Sequence, residues 1–321
     1  MQVCPRRRAP TPEHGTPETE RPHIMNKLPM YNSNSKKLIE EIYHKNLASF
    51  GIHYETLTVQ TSYGKTSVTK IGNFSGRPVV ALDGHKMITG SIVWHLQFLL
   101  KNCCIYVPGV IGQAGLSEEG QLPSKNYGFG KWLCEVIQGL DLCVKPIVFG
   151  VSFGGGIVAN LICHKWDCAS GAAMICPISI TRISIMPGIK SFIASRKAKK
   201  RNDIEWFRQN ALKTNSFNGE VNENGIEAAM AVAVNCNIPD NMPMNVKKRH
   251  LPSGKLPTVI FYGDKDYLLP AERVTRTLTK HFPKCKRFFM KGYGHTAFLN
   301  DEAKEYLISF INKHTADAGI I

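Results

Sequence analysis

Val144-Lys145-Pro146-Ile147-Val148-Phe149-Gly150-Val151-Ser152-Phe153-Gly154 is the stretch on which the reading of this chain turns. Its first six residues form an apolar run that reads as a buried strand. Gly150 to Gly154 then has the form G-x-S-x-G, and a helical run from Gly155 to His164 follows. A serine on a sharp turn between strand and helix is lifted clear of the backbone, and small neighbours let the turn close. Alone, so short a pattern arises by chance. Two stretches further along give it company.

The strand-like run Thr258-Val259-Ile260-Phe261-Tyr262 leads into Gly263-Asp264-Lys265-Asp266. Phe288-Phe289-Met290 leads into Gly292-Tyr293-Gly294-His295. The chain order is therefore serine, acid, histidine, with the acid after one strand and the base after the next. With these motifs, roughly residues 50 to 315 resemble the α/β-hydrolase superfamily, and within it the carboxylesterase-like serine hydrolases that carry a lid.

A serine hydroxyl is a poor nucleophile at neutral pH. An imidazole within hydrogen-bond reach takes its proton during attack and returns it to the leaving group, and a carboxylate behind the ring fixes the tautomer. The resemblance implies Ser152 as nucleophile, His295 as general acid/base and Asp266 as the orienting acid. Asp264 competes with Asp266; the family's G-x-x-D pattern after this strand favours Asp266, and Asp264 reads as a turn former. A tetrahedral intermediate needs two backbone N–H donors. Phe153, directly after the nucleophile, supplies one. The loop after the strand Pro78-Val79-Val80-Ala81-Leu82 supplies the other, where many relatives have His-Gly and this chain has Asp83-Gly84-His85. By position the second donor is the N–H of His85. The absence of an H-G-G-G run there argues against the lipase-type branch that carries one.

Outside these motifs, strands and helices alternate: strand 78–82, helix 88–100, strand 103–107, helix 128–140, strand 144–149, helix 153–164, strand 171–176. Such alternation implies right-handed crossovers and a mainly parallel central sheet with helices on both faces. A short helix over 36–49 and an edge hairpin, 54–60 with 65–71, come before it. The Gly-rich run Gly112 to Ser117 follows a strand and reads as a turn. Residues 178–255 break the rhythm and are expected to form a helical cap inserted after the sixth strand, with helices over 193–212 and 224–234. The core is then 31–177 with 256–321, preceded by a disordered basic, Pro-rich extension over 1–30. A C-terminal helix over 298–314 places Leu299, Ala303, Tyr306, Leu307, Phe310 and Ile311 on one stripe.

The chain has 321 residues, 43% of them hydrophobic, with 40 Lys and Arg against 25 Asp and Glu. That is enough for a large packed core, and no apolar stretch approaches membrane-spanning length. The formal net charge of +15 attracts anions. The basic runs Arg196 to Arg201 and Lys247 to Arg249 point to a solvated cap surface, or to attraction for an anionic substrate or an anionic membrane surface. A nucleic-acid partner finds no binding motif and no interleaved aromatics. Ten cysteines are scattered, several within apolar runs (Cys103, Cys104, Cys134, Cys163, Cys176), and no C-x-x-C pair occurs. These read as reduced thiols of a cytoplasmic protein, with no metal site.

The expectation is a serine hydrolase that cleaves a carboxylic ester or related acyl bond through an acyl-enzyme. No cofactor is needed, since every reacting group is supplied by the protein. The alternatives are a thioester or carbon–carbon bond hydrolase with the same triad, or a non-catalytic ligand-binding protein on a hydrolase fold.

Overall fold

The computed structural model describes residues 30–31, 34–184, 197, 200, 203–206, 208–209, 223–252, 254–295 and 298–316. Among the described residues eight strands build one sheet: β1 (Tyr54–Thr61), β2 (Gly64–Gly72), β3 (Arg77–Leu82), β4 (Cys103–Pro108), β5 (Ile147–Val151), β6 (Gly171–Ile175), β7 (Thr258–Gly263) and β8 (Lys286–Met290). Their order is β1-β2-β4-β3-β5-β6-β7-β8. The β1–β2 hairpin lies at one edge and pairs antiparallel with β4; all other pairings are parallel. β5 and β6 are buried along their whole length. This is why their sequences run apolar without alternation, as strands covered on both faces do.

The α-helices around the sheet include α1 (Ser35–Ala48), α2 (Val93–Leu96), α3 (Gly128–Gly139), α4 (Phe153–Lys165), α5 (Glu223–Asn235), α6 (Ala271–His281) and α7 (Asp301–Ala316). α4 follows β5 directly and buries its first ten residues. α7 packs against β3, β5 and β6, with Leu299, Ala303, Leu307, Phe310 and Ile311 buried and Tyr306 at the margin. Its start lies later than the apolar stripe suggests, because Asn300 accepts the Ala303 N–H at 2.9 Å through its side chain, as an N-cap residue does. The helix expected over 88–100 is much shorter. Only Val93–Leu96 is α-helical, followed by a 3₁₀ turn at Gln97–Leu99. Residues 84–92 instead form an irregular strap, with Lys86 and Gly90 at positive φ. α6 is not among the elements expected from the sequence. Only Val274 and Leu278 are buried on it, and so thin a stripe in a charged segment gives a weak periodic signal.

Of the expected cap, the helix over 224–234 matches α5. The helix expected over 193–212 lies largely outside the described residues. So does the N-terminal extension, except that Met30 is buried and donates its N–H to Glu119 at 3.0 Å. α5 packs on α1, with a Lys45–Glu227 ion pair at 2.8 Å. The chain after it is tied to the core: the Asn160 side chain bonds both Met244 N–H and Met244 C=O, and Ser179 Oγ donates to Pro243 C=O. No disulfide joins the cysteines among the described residues. No helix among the described residues is long and apolar enough to cross a membrane.

Candidate active site

Ser152 lies between the end of β5 and the start of α4, with φ 53° and ψ −108°. A left-handed φ at a non-glycine residue is strained, by about 1–3 kcal/mol. The strain is held by hydrogen bonds on both sides: Ser152 N–H donates to Ile175 C=O at 2.9 Å, and Ser152 C=O accepts from Gly156 at 3.0 Å and Ile178 at 3.1 Å. The turn also needs a residue without a side chain at Gly154. A Cβ there would lie 2.4 Å from Leu82 C=O and 2.7 Å from Asp83 C=O. The start of α4 therefore presses directly on the end of β3.

The loops after β7 and β8 bring the other two groups in. Ser152 Oγ is 2.8 Å from His295 Nε2, and His295 Nδ1 is 2.8 Å from Asp266 Oδ2. His295 and Asp266 are buried. The second carboxylate oxygen of Asp266 accepts the N–H groups of Leu268 and Leu269, both at 2.9 Å. This fixes the carboxylate plane and leaves Oδ2 for the ring. Asp264 does not reach the ring. Its Oδ1 accepts the Gly292 N–H at 2.5 Å, which fastens the loop that carries His295. Lys265 N–H adds a bond to Tyr293 C=O at 2.9 Å. Gly263 lets the two loops approach, since a Cβ there would lie 2.0 Å from Tyr293 C=O.

Cys176 follows β6 and lies against the same group. Its Sγ approaches Gly294 C=O at 3.7 Å and sits with Asp266 and His295 in a cluster whose ligand atoms all lie within 4.8 Å of one another. Burial, with the nearby Asp266 carboxylate, pushes its thiol well above the usual range. The cluster has the right donor types for a metal ion, but Nδ1 and Oδ2 stand at hydrogen-bond distance. Two ligands ~2.1 Å from one tetrahedral ion would sit roughly 3.4 Å apart. Nothing in the sequence pattern singles out Cys176 beyond its place in an apolar run.

Phe153 is the first residue of α4, so its N–H has no carbonyl one turn earlier in the helix. His85 lies in the strap after β3, and its ring centroid is 5.1 Å from that of Phe153. Its Nε2 is 3.2 Å from Pro239 C=O. The two residues expected to carry the oxyanion donors are therefore neighbours in space. Gln113, in the Gly-rich run after β4, accepts the Lys86 N–H at 3.0 Å. That run braces the strap.

Two partly buried rings near the site are held in the neutral form. Burial holds His85 down to about 4, helped by the charge of Lys86, and burial alone holds His95 down to about 4. His95, on α2, stacks on Phe298 with ring centroids 4.4 Å apart. It therefore joins the strap's helix to the segment after His295. A ring neutral in the fold but titrating near 6.5 when unfolded contributes stability that is complete above pH 6.5 and is lost as pH falls toward 4. Asp83 works in the opposite sense. Burial raises it to about 7, so its contribution is complete below 3.8 and is lost as pH rises toward 7. Two rings outweigh one carboxyl, and stability should rise with pH between about 4 and 6.5. His95→Phe keeps the stacked ring and removes one titration. The loss of unfolding free energy between pH 7 and pH 5, measured in urea, should shrink by about 2 kcal/mol. An unchanged loss would show that His95 does not titrate across this window.

No family model matches this chain, and no curated protein matches it in sequence. Solved structures do. A carboxylesterase of Bacillus subtilis, CesB, is 16% identical with a TM-score of 0.70, over 89% of this chain and 99% of that one. The naproxen esterase of Bacillus subtilis (carboxylesterase NP) is 16% identical at TM-score 0.72, over 88% and 99%. A meta-cleavage product hydrolase, CumD, is 14% identical at TM-score 0.64, over 80% and 98%. At such identities the likeness is one of architecture. The chain has the α/β-hydrolase fold.

Proposed function

We propose that this protein is a serine hydrolase that cleaves a carboxylic ester or related acyl bond. The observation that carries the reading is the chain of two 2.8 Å contacts from Ser152 Oγ through the His295 ring to Asp266. Nε2 accepts the serine proton as Oγ attacks the carbonyl carbon. The ring, now cationic, is stabilised by Asp266 through Nδ1–H, and it returns the proton to the departing alcohol oxygen. This leaves an acyl-Ser152 ester. Water, deprotonated by the same nitrogen, attacks the acyl carbon and releases the acid and the free serine. The N–H groups of Phe153 and His85 receive the oxyanion in both halves. No metal or organic cofactor enters these steps.

Residues 178–255 act in this reading as a cap over Ser152 that limits water and shapes the pocket. Support comes from the passage of 239–240 alongside the strap, where Asp240 pairs with Lys86 at 2.9 Å. The basic cap residues favour a substrate that carries negative charge. Cysteines outside disulfides are compatible with a cytoplasmic location.

The test is the time course with short-chain p-nitrophenyl esters. Accumulation of an acyl-enzyme gives a burst of p-nitrophenol equivalent to the enzyme present, followed by slower steady turnover. Failure to release p-nitrophenol above the buffer rate would remove the esterase reading. The fold shared with a meta-cleavage product hydrolase makes a meta-cleavage product the second substrate to try. Cleavage of that compound alone would assign the triad to carbon–carbon bond hydrolysis.

A further inference from the structure

Asp83 follows the last residue of β3 and is buried. Each of its carboxylate oxygens accepts one backbone N–H: Gly90 reaches Oδ2 at 3.0 Å and Ile92 reaches Oδ1 at 2.5 Å. Both donors stand at the far end of the strap, where it enters α2. The carboxylate thus closes the strap into a loop, and His85 lies on it. The outer side of the strap has separate ties. Lys86 N–H donates to Gln113, Thr89 N–H donates to Ala114 C=O at 2.9 Å, and Lys86 Nζ pairs with Asp240. The inner side meets the elbow, through the His85 and Phe153 rings and through the close approach of Gly154 to the Leu82 and Asp83 carbonyls.

A buried carboxylate is a costly way to close a loop. Among the described residues no cation pairs with it. Tyr43 of α1 is near enough for its ionisation to be opposed by the Asp83 charge. What the site demands is one oxygen acceptor for each of two N–H groups that converge from the same loop. Among short side chains only a carboxyl group offers two oxygens. Asparagine would turn its NH₂ toward one of the two N–H groups.

We infer that Asp83 is a positioning residue for the oxyanion pocket: its carboxylate, by holding the N–H groups of Gly90 and Ile92, fixes the strap so that the His85 N–H stays beside that of Phe153. The inference rests on the hydrolase reading above and adds to it the group that sets the second donor. Asp83 touches no reacting atom. It acts through the backbone, as the elbow glycines do.

The experiment compares Asp83→Ala and the isosteric Asp83→Asn with the unmodified protein, by p-nitrophenyl ester kinetics and by amide hydrogen exchange over residues 84–96. The isosteric variant serves if the alanine variant does not fold. A donor displaced by about 1 Å costs on the order of 10²-fold in rate, so kcat should fall about 10- to 100-fold while KM changes less than about threefold. Exchange at Gly90 and Ile92 should accelerate, and the His295 Nδ1–H resonance should stay in place because the triad is untouched. Faster exchange with kcat unchanged would overturn the inference, since the anchor would then exist without positioning anything. A rise in KM alone would do so too, by making Asp83 a support of substrate binding. Lack of turnover in the unmodified protein, with exchange at Gly90 slowed as the anchor requires, would instead remove the hydrolase reading, and the oxyanion role with it.

Discussion

Ser152→Ala and His295→Ala, made separately, should each lower kcat by about 10⁶-fold, and the double variant should be hardly worse than either. The reason is that the hydroxyl and the ring act as one unit. Oγ without Nε2 at 2.8 Å keeps its proton and does not attack. Nε2 without Oγ has no proton to take. Each single change therefore removes the whole nucleophile. A residual of about 10³–10⁴ over the uncatalysed rate should survive, because the backbone donors and the binding surface remain. KM should change little in all three proteins, since neither side chain is needed for the substrate to enter. The measurement is steady-state turnover of a p-nitrophenyl ester with the fold checked by circular dichroism. Multiplying losses in the double variant would show that the two residues act independently, and the shared-proton mechanism would then fail.

The second large effect is expected at Asp266. Asp266→Asn preserves size and most packing, and its side-chain oxygen can still accept from Leu268 and Leu269. Its NH₂ would then face Nδ1, which forces the ring to carry its proton on Nε2, where the serine needs an acceptor. The expected fall in kcat is about 10⁴-fold. Asp264→Asn removes charge from a different bond, the one to Gly292 N–H, and leaves the ring's tautomer alone. It should loosen the His295 loop and cost no more than about 10-fold. The two carboxylates are two positions apart in the chain, so the side-by-side comparison separates orientation of the ring from support of its loop. A larger loss at Asp264 than at Asp266 would reverse their assigned roles.

The fold was legible because its central strands are buried on both faces. Runs such as Ile147 to Val151 and Val259 to Tyr262 have no polar side chain, and the motif residues follow them closely. The alternation of such runs with helical stretches is enough to imply a parallel sheet. The strap between β3 and α2 was not legible. Ile88, Ile92, Val93 and Leu96 are all buried and fall at helical spacing, so the pattern reads as a long helix. The competing influence is Asp83, whose carboxylate takes the N–H groups of Gly90 and Ile92 and holds the backbone out of the helical path. A side-chain-to-backbone bond of this kind leaves no periodic trace.

The same contrast holds within the site. Ser152, Asp266 and His295 each sit at a strand end in a short Gly-containing turn, which is a local signal. Cys176 and Gln113 reach the site through packing between loops distant in sequence, and no local pattern marks either. Asp83 stood in plain view beside the expected oxyanion donor. Its part became apparent only from the geometry of its two oxygens, because the identity of an acceptor says nothing about which donors it will meet.

The most direct test of the central claim is to find where a fluorophosphonate probe attaches. The reagent phosphonylates a serine oxygen and expels fluoride, and it requires a nucleophile activated by a neighbouring base. Peptide mapping by mass spectrometry should place one adduct per chain on Ser152 in the unmodified protein, and labelling should disappear in His295→Ala under the same conditions. An adduct on another residue, or equal labelling of Ser152 with the ring removed, would contradict the account.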